Sequence, residues 1–237
     1  MVDKLFIRGM YTLYQVPWKF RDIIIVTIII YLSLFFGYPL FEFLTKSDKT
    51  LLQLFLYLGY LLDLLVPILW TRKFFKSNKN VLGITKGRWS TTCIITVGVI
   101  TGFLCYLVLS FFWGPQLKLN RFIIDNLLYI LISPFSIFGF GSFILGPFAE
   151  EVYFRGFLYA YLEKKVGVAF GLLIQALVFG LFHPEYLNAP EVFLIFQRIL
   201  LGFFLGALFK FSASLYPSII CHGVVNFLYS IAIAQWH

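Results

Sequence analysis

The sequence predicts an all-α membrane protein, a polytopic bundle of about seven transmembrane helices. Of its 237 residues, 60% are hydrophobic and only 13% are charged, whereas a soluble domain has about 25% charged residues. The mean hydropathy is +0.88, and several apolar runs reach the length of about 20 residues that crosses a bilayer as a helix. Helices are expected throughout, because an open sheet would leave backbone groups unpaired in lipid.

Seven apolar runs are candidate membrane segments. The first three carry a single ionisable residue, Asp63, in the second run. The fourth contains the stretch PFAEEVYFRG, Pro147 to Gly156, with uncharged sequence on both sides. The fifth ends in a histidine, the sixth contains an arginine and the seventh contains a second histidine. The segments are Ile23–Phe41, Leu51–Trp70, Cys93–Trp113, Ile137–Leu162, Val166–His183, Val192–Phe211 and Leu215–Trp236.

The charge and the cysteines restrict the function classes. A net charge of +8 is typical of a membrane protein whose cytoplasmic loops are rich in Lys and Arg, so we expect no nucleic-acid partner. The three cysteines lie in apolar segments without C-x-x-C spacing and indicate no disulfide framework. We expect an integral protein of the plasma or cytoplasmic membrane, in contact with the lipid bilayer.

The distribution of ionisable residues predicts two parts. Residues 1–133 are expected to be a variable scaffold of membrane helices, and residues 134–237 a catalytic core. Charged or titratable groups inside a membrane segment are expensive and are by default candidates for a functional site. In the second part these include Glu150, Glu151, Arg155, His183, Arg198 and His222.

Helix geometry separates the two adjacent glutamates. Glu151 and Arg155 are four residues apart and can pair on one helix face, which predicts a structural brace. Glu150 is rotated by about 100° from Glu151 and is left as the reactive carboxylate. A buried, unpaired carboxylate binds a proton more readily than one in water, as a general base must. The alternative is that Arg155 reaches both glutamates and leaves no free base.

Two polar residues share one face of the last segment. His222 and Asn226 are four residues apart in an apolar run. Ser218 lies on the same stripe, so a serine–histidine pair is a second possibility, although no Gly-x-Ser-x-Gly elbow surrounds it. His183 stands at the end of the fifth segment, four residues after Phe179.

Together these motifs resemble the CAAX protease and bacteriocin-processing family, also called the CPBP or Abi family, which includes the prenyl-protein endopeptidases. The resemblance rests on E-E-x-x-x-R, then F-x-x-x-H, then H-x-x-x-N, in that order. It implies that Glu150 and His183 activate a water molecule and that His222 and Asn226 stabilise the oxyanion. Glu151 and Arg155 would then support the helix that carries Glu150.

The resemblance leaves metal dependence open, because the family has been interpreted both ways. If a metal is present, Glu150, His183 and His222 would be an adequate set of zinc ligands. A carboxylate and two histidines can also act without a metal. The sequence has no H-E-x-x-H motif, so we expect no cofactor.

These features predict an intramembrane protease, a hydrolase that cleaves a membrane-associated or secreted peptide or protein precursor. The substrate would enter from the membrane or its surface. The main alternative is a non-catalytic membrane protein that confers bacteriocin immunity or regulates a sensor, although such a protein needs no base and oxyanion pair together. A proton-coupled transporter would account for Glu150 but not for His222 and Asn226.

Overall fold

The fold is that of a computed structural model, which describes residues 16–35, 49–76, 79–113, 132, 137–182 and 192–234. Within these ranges the secondary structure is helical. Two π-helical segments, π1 (Gly141–Leu145) and π2 (Val152–Tyr159), lie on either side of a short α-helix, and a 3-10 helix covers Lys79–Leu82. The α-helices are α1 (Phe20–Phe35), α2 (Lys49–Phe75), α3 (Thr91–Trp113), α4 (Ile137–Phe140), α5 (Gly146–Glu151), α6 (Ala160–Leu181), α7 (Val192–Ser212) and α8 (Tyr216–Ala234).

The predicted all-α membrane bundle is confirmed. Large apolar side chains such as Phe111 and Phe170 are exposed on the outside of the bundle, where lipid tails can cover them. The protein is therefore an integral membrane protein. Three of the described helical stretches are long and apolar enough to cross a membrane: Thr91–Phe111, Gly141–Leu181 and Leu194–Ser212.

The 41-residue stretch Gly141–Leu181 consists of two arms. As one straight helix it would be about 60 Å long, twice the thickness of the hydrocarbon core. Gly167 interrupts it with φ 81° and ψ 174°, a backbone conformation that is essentially restricted to glycine. Beyond Gly167 the chain reverses direction. Gly171 is packed against the preceding arm, so that a Cβ there would lie 3.0 Å from the backbone nitrogen of Glu163. The predicted fourth and fifth segments therefore form a hairpin.

Small residues let the helices approach closely around the site. Gly202 and Gly206 of α7 face α6. A Cβ at Gly202 would lie 3.1 Å from the Cα of Ala176. On the other side of the bundle, a Cβ at Gly102 of α3 would lie 2.9 Å from the carbonyl oxygen of Cys221 in α8. Close backbone contact of this kind is typical of helix packing in membranes.

The helix that carries the two glutamates contains two stretches of widened turns. In π1 the N–H of Gly146 donates to the carbonyl oxygen of Gly141, five residues back, instead of the four of an α-helix. All eight residues of π2 are buried, and Gly156 within it lies against the carbonyl oxygen of Leu82. The sequence analysis treated this segment as a regular α-helix. Wide turns are rare in helices and occur frequently at functional sites.

We expect Gly167→Ala to lower the free energy of unfolding by about 1–3 kcal/mol, because alanine is strained in this backbone conformation. Steric overlap does not contribute, since a Cβ there would meet no atom within 4 Å. Thermal unfolding in detergent measures the effect, with Val166→Ala at the neighbouring exposed position as the matched control. Equal stability of Gly167→Ala and the wild type would contradict the strained turn.

Candidate active site

The acidic pair ends α5, and Arg155 follows one turn later in π2. Arg155 Nη1 donates a hydrogen bond to Glu151 Oε1 at 2.7 Å, and both side chains are fully buried. The ion pair expected from the four-residue spacing is therefore present. Because a buried charge is tolerated only when it is paired, this contact fixes the helix immediately after Glu150.

Arg155 also connects π2 to two other helices. Its Nη2 donates to the carbonyl oxygen of Gly202 in α7 at 3.1 Å, and its guanidinium carbon lies 4.4 Å from the ring centroid of Phe179 in α6. The same carbonyl oxygen accepts a second hydrogen bond, from Gln175 Nε2 at 2.8 Å. The sequence analysis missed Gln175, although an amide side chain within an apolar run is a signal for contacts between membrane helices.

His222 of α8 lies between the two glutamates. Its Nδ1 is 3.1 Å from Glu151 Oε1, and its Nε2 is 3.9 Å from Glu150 Oε2. The ring is 1% exposed and makes a T-shaped contact with Phe179, with 5.7 Å between the ring centroids. One oxygen of Glu151 therefore contacts both Arg155 and His222. The second of these contacts was not predicted.

Glu150 presents an oxygen that is not engaged by its neighbours. Among the described residues, Glu150 Oε2 has no hydrogen-bond partner, and neither has His222 Nε2, which faces it. The Glu150 side chain is 20% exposed, whereas that of Glu151 is fully buried. The ion pair of Arg155 within the described ranges is with Glu151, so the alternative in which Arg155 bridges both glutamates is not observed.

Asn226 lies one turn after His222 and contacts π1. Its Nδ2 donates to the carbonyl oxygen of Ser142 at 3.1 Å, which uses one of its two amide hydrogens. Ser218, one turn before His222, donates its hydroxyl to the carbonyl oxygen of Leu215 at 2.9 Å. The serine–histidine pair left open by the spacing is therefore not formed.

His183, the second predicted water activator, lies outside the described residues, and its position relative to Glu150 stays a prediction. In the described part of the chain, no group of three or more His, Cys, Asp or Glu side chains is placed to hold a metal. The zinc set that includes His183 is likewise still a prediction. The structure brings together four of the predicted site residues: Glu150, Glu151, Arg155 and His222. Asn226, also predicted, lies one turn after His222 in α8.

Residues 132–228 match the family model described as type II CAAX prenyl endopeptidase Rce1-like. We call this part of the chain, which is similar to that family, the Rce1-like segment. The match confirms the resemblance to the CAAX protease and bacteriocin-processing family that the motifs indicated, and it supports a CAAX-type membrane protease as the general class. The chain matches no curated protein and no solved structure.

The Rce1-like segment contains α4 to α7 and most of α8. Every contact of the candidate site given in this subsection therefore lies inside it, from Ser142 in π1 to Asn226 in α8. The helices α1 to α3 lie outside the match. All three nevertheless contact the matched segment: Thr27 of α1 shares a hydrogen bond with Tyr153 in π2, α3 contacts α8, and α2 contacts π1, α5 and π2.

We expect Glu151→Leu to lower the free energy of unfolding by about 3–5 kcal/mol, because Arg155 would stay buried without a counter-charge. Adding Arg155→Met should recover most of this loss, since apolar replacement of a whole buried ion pair is often neutral. Thermal unfolding and the yield of folded protein in detergent measure both variants. A double variant no more stable than Glu151→Leu would be inconsistent with this pairing.

Proposed function

We propose that the protein is an intramembrane endopeptidase that hydrolyses a peptide bond of a membrane-associated or secreted precursor. The observation that carries this proposal is the 3.9 Å separation of Glu150 Oε2 and His222 Nε2, two buried atoms without hydrogen-bond partners in the described ranges. They are too far apart to bond directly, and a water molecule beside them can contact both. A carboxylate and an imidazole around one water are suited to hydrolysis.

In the proposed reaction Glu150, helped by His183, takes a proton from this water as its oxygen attacks the scissile carbonyl carbon. The tetrahedral intermediate then collapses, the C–N bond breaks, and the leaving amine receives the proton from Glu150. The products are a carboxylic acid and an amine. A positioned base of this kind accelerates a reaction by about 10²- to 10⁴-fold.

His222 and Asn226 are the proposed oxyanion donors. With its Nδ1 oriented by Glu151 Oε1 at 3.1 Å, His222 would donate from Nε2 to the oxyanion that forms when the water attacks beside Glu150. A carboxylate that orients an imidazole in this way also stabilises the imidazolium. Asn226 would supply its second amide hydrogen, while its contact with Ser142 sets the direction of the side chain.

The substrate class is proposed from the family match. The matched family is described as a prenyl endopeptidase of CAAX type, so the first probe is a farnesylated peptide that ends in cysteine, two aliphatic residues and a terminal residue. Secreted peptide precursors and bacteriocins are the other substrates to test. Mapping of cleavage sites in membrane peptides from cells with the wild type or Glu150→Gln covers all three classes.

We expect Glu150→Gln to reduce cleavage by at least about 10²-fold, because glutamine cannot accept the proton of the attacking water, while the protein still inserts and folds. The matched control is Glu163→Gln, which disrupts the buried ion pair with Lys210 outside the site. This control should lower the thermal stability and leave turnover per folded molecule unchanged. Normal turnover by well-folded Glu150→Gln, with an intact cellular phenotype, would instead favour the non-catalytic immunity or regulatory protein.

Metal dependence has its own test. The proposed reaction uses no metal, so we expect active purified protein to contain well under one zinc ion per chain and to keep its activity in a chelator. Elemental analysis and cleavage of the farnesylated probe before and after chelation measure this. Loss of activity on chelation, restored by added Zn²⁺, would assign Glu150, His183 and His222 to a zinc site instead.

A further inference from the structure

Asp63 of α2 is a buried acid that the proposed reaction does not use. It is 7% exposed, and its Oδ1 has no hydrogen-bond partner among the described residues. It lies outside the Rce1-like segment. A buried polar atom left without a partner costs free energy and requires an explanation, such as a bound water or a role in a site.

The register of α2 against π1 and α5 places Asp63 beside Glu150. The hydroxyl of Tyr57 accepts a hydrogen bond from the N–H of Gly141 at 2.9 Å. One turn further along α2, Tyr60 lies against Gly146, where a Cβ would be 3.1 Å from its ring. Asp63 is three residues beyond Tyr60, and Glu150 is four residues beyond Gly146. Because the two segments advance in the same direction, this register places Asp63 at the level of Glu150.

The electrostatics agree with this register. Asp63 and Glu150 are near enough for their like charges to repel each other, and Asp63 is also within electrostatic range of the phenol of Tyr153 in π2. Glu150 is in turn the neighbour of His222. Three buried polar atoms at or beside the Glu150 carboxyl group therefore have no hydrogen-bond partner within the described ranges: Asp63 Oδ1, Glu150 Oε2 and His222 Nε2.

A purely structural acid in the same protein has different surroundings. Asp22, at the start of α1, is also buried. Its Oδ2 accepts from the backbone N–H of Lys19 at 2.8 Å, and its Oδ1 from Trp70 Nε1 at 3.4 Å. Both oxygens of Asp22 are thus used by the fold, whereas Oδ1 of Asp63 is directed to no described donor.

We propose that Asp63 is a positioning residue of the reaction centre, which holds Glu150 through a water molecule that bridges the two carboxyl groups. This water donates one hydrogen to each carboxyl group, which is how two acids can lie close together without a direct bond. It is distinct from the attacking water, so Asp63 acts on the reaction through the orientation of Glu150. The inference depends on the proposed function, and it assigns one functional side chain to α2.

The test compares variants of Asp63 in full-length protein in detergent. The probe is the farnesylated peptide or, if the wild type cleaves a different substrate, the peptide identified by cleavage-site mapping. Asp63→Leu should lower kcat by about 10- to 100-fold with KM within about twofold, because small displacements of a catalytic group carry losses of this size. Asp63→Asn, which keeps an acceptor oxygen, should recover most of kcat. Asp22→Asn is the control and should lower Tm without changing kcat per folded molecule.

Wild-type kcat in folded Asp63→Leu would overturn the inference, as would a change in KM alone or a failure of Asp63→Asn to recover kcat. If Asp63→Leu does not accumulate, Asp63→Ala decides, with the same loss of kcat expected and an unchanged kcat counting against the bridge. Glu150→Gln is measured in parallel. If it is inactive while Asp63→Leu is fully active, this inference alone fails; if Glu150→Gln is active, the proposed function fails and the inference fails with it.

Discussion

The arrangement of the site depends on one guanidinium that is fully buried in a membrane protein. Arg155 pairs with Glu151 at 2.7 Å, donates a hydrogen bond to the carbonyl oxygen of Gly202 and is covered by the ring of Phe179. These contacts belong to three different helical stretches. An uncompensated charge at this depth would cost several kcal/mol, so the three stretches are held in one relative position by the need to satisfy one side chain.

The ion pair also orders the chemistry around it. Glu151 Oε1 is held by Arg155 Nη1, and the same oxygen contacts His222 Nδ1 and so orients the imidazole. The two glutamates are adjacent in the chain and have different surroundings. Glu151 is fully buried and contacts two side chains, whereas Glu150 is partly exposed and its Oε2 has no hydrogen-bond donor among the described residues. Two identical side chains can thereby take different roles, as carboxylates in hydrolases commonly do.

The sequence could predict those parts of the fold and the site that depend on local spacing. Composition and apolar runs predicted a helical membrane bundle, and the four-residue spacing predicted the pairing of Glu151 with Arg155. It could not predict the contact between Glu151 and His222, because the two residues are 71 positions apart and meet only through packing. The widened turns of π1 and π2 were missed as well, since they leave no mark on the apolar pattern. Asp63 was noticed as an isolated acid, but only the register of α2 relates it to Glu150.

The reversal at Gly167 has a consequence for biogenesis. The two arms on either side of it are contiguous in the chain, and between them they contain Arg155, its counter-ion Glu151 and the aromatic face of Phe179. A nascent chain that leaves the translocon as a helical hairpin therefore carries its most costly charge already neutralised and shielded. Partitioning of this pair into lipid does not have to await synthesis of α7 and α8, which dock on the hairpin afterwards.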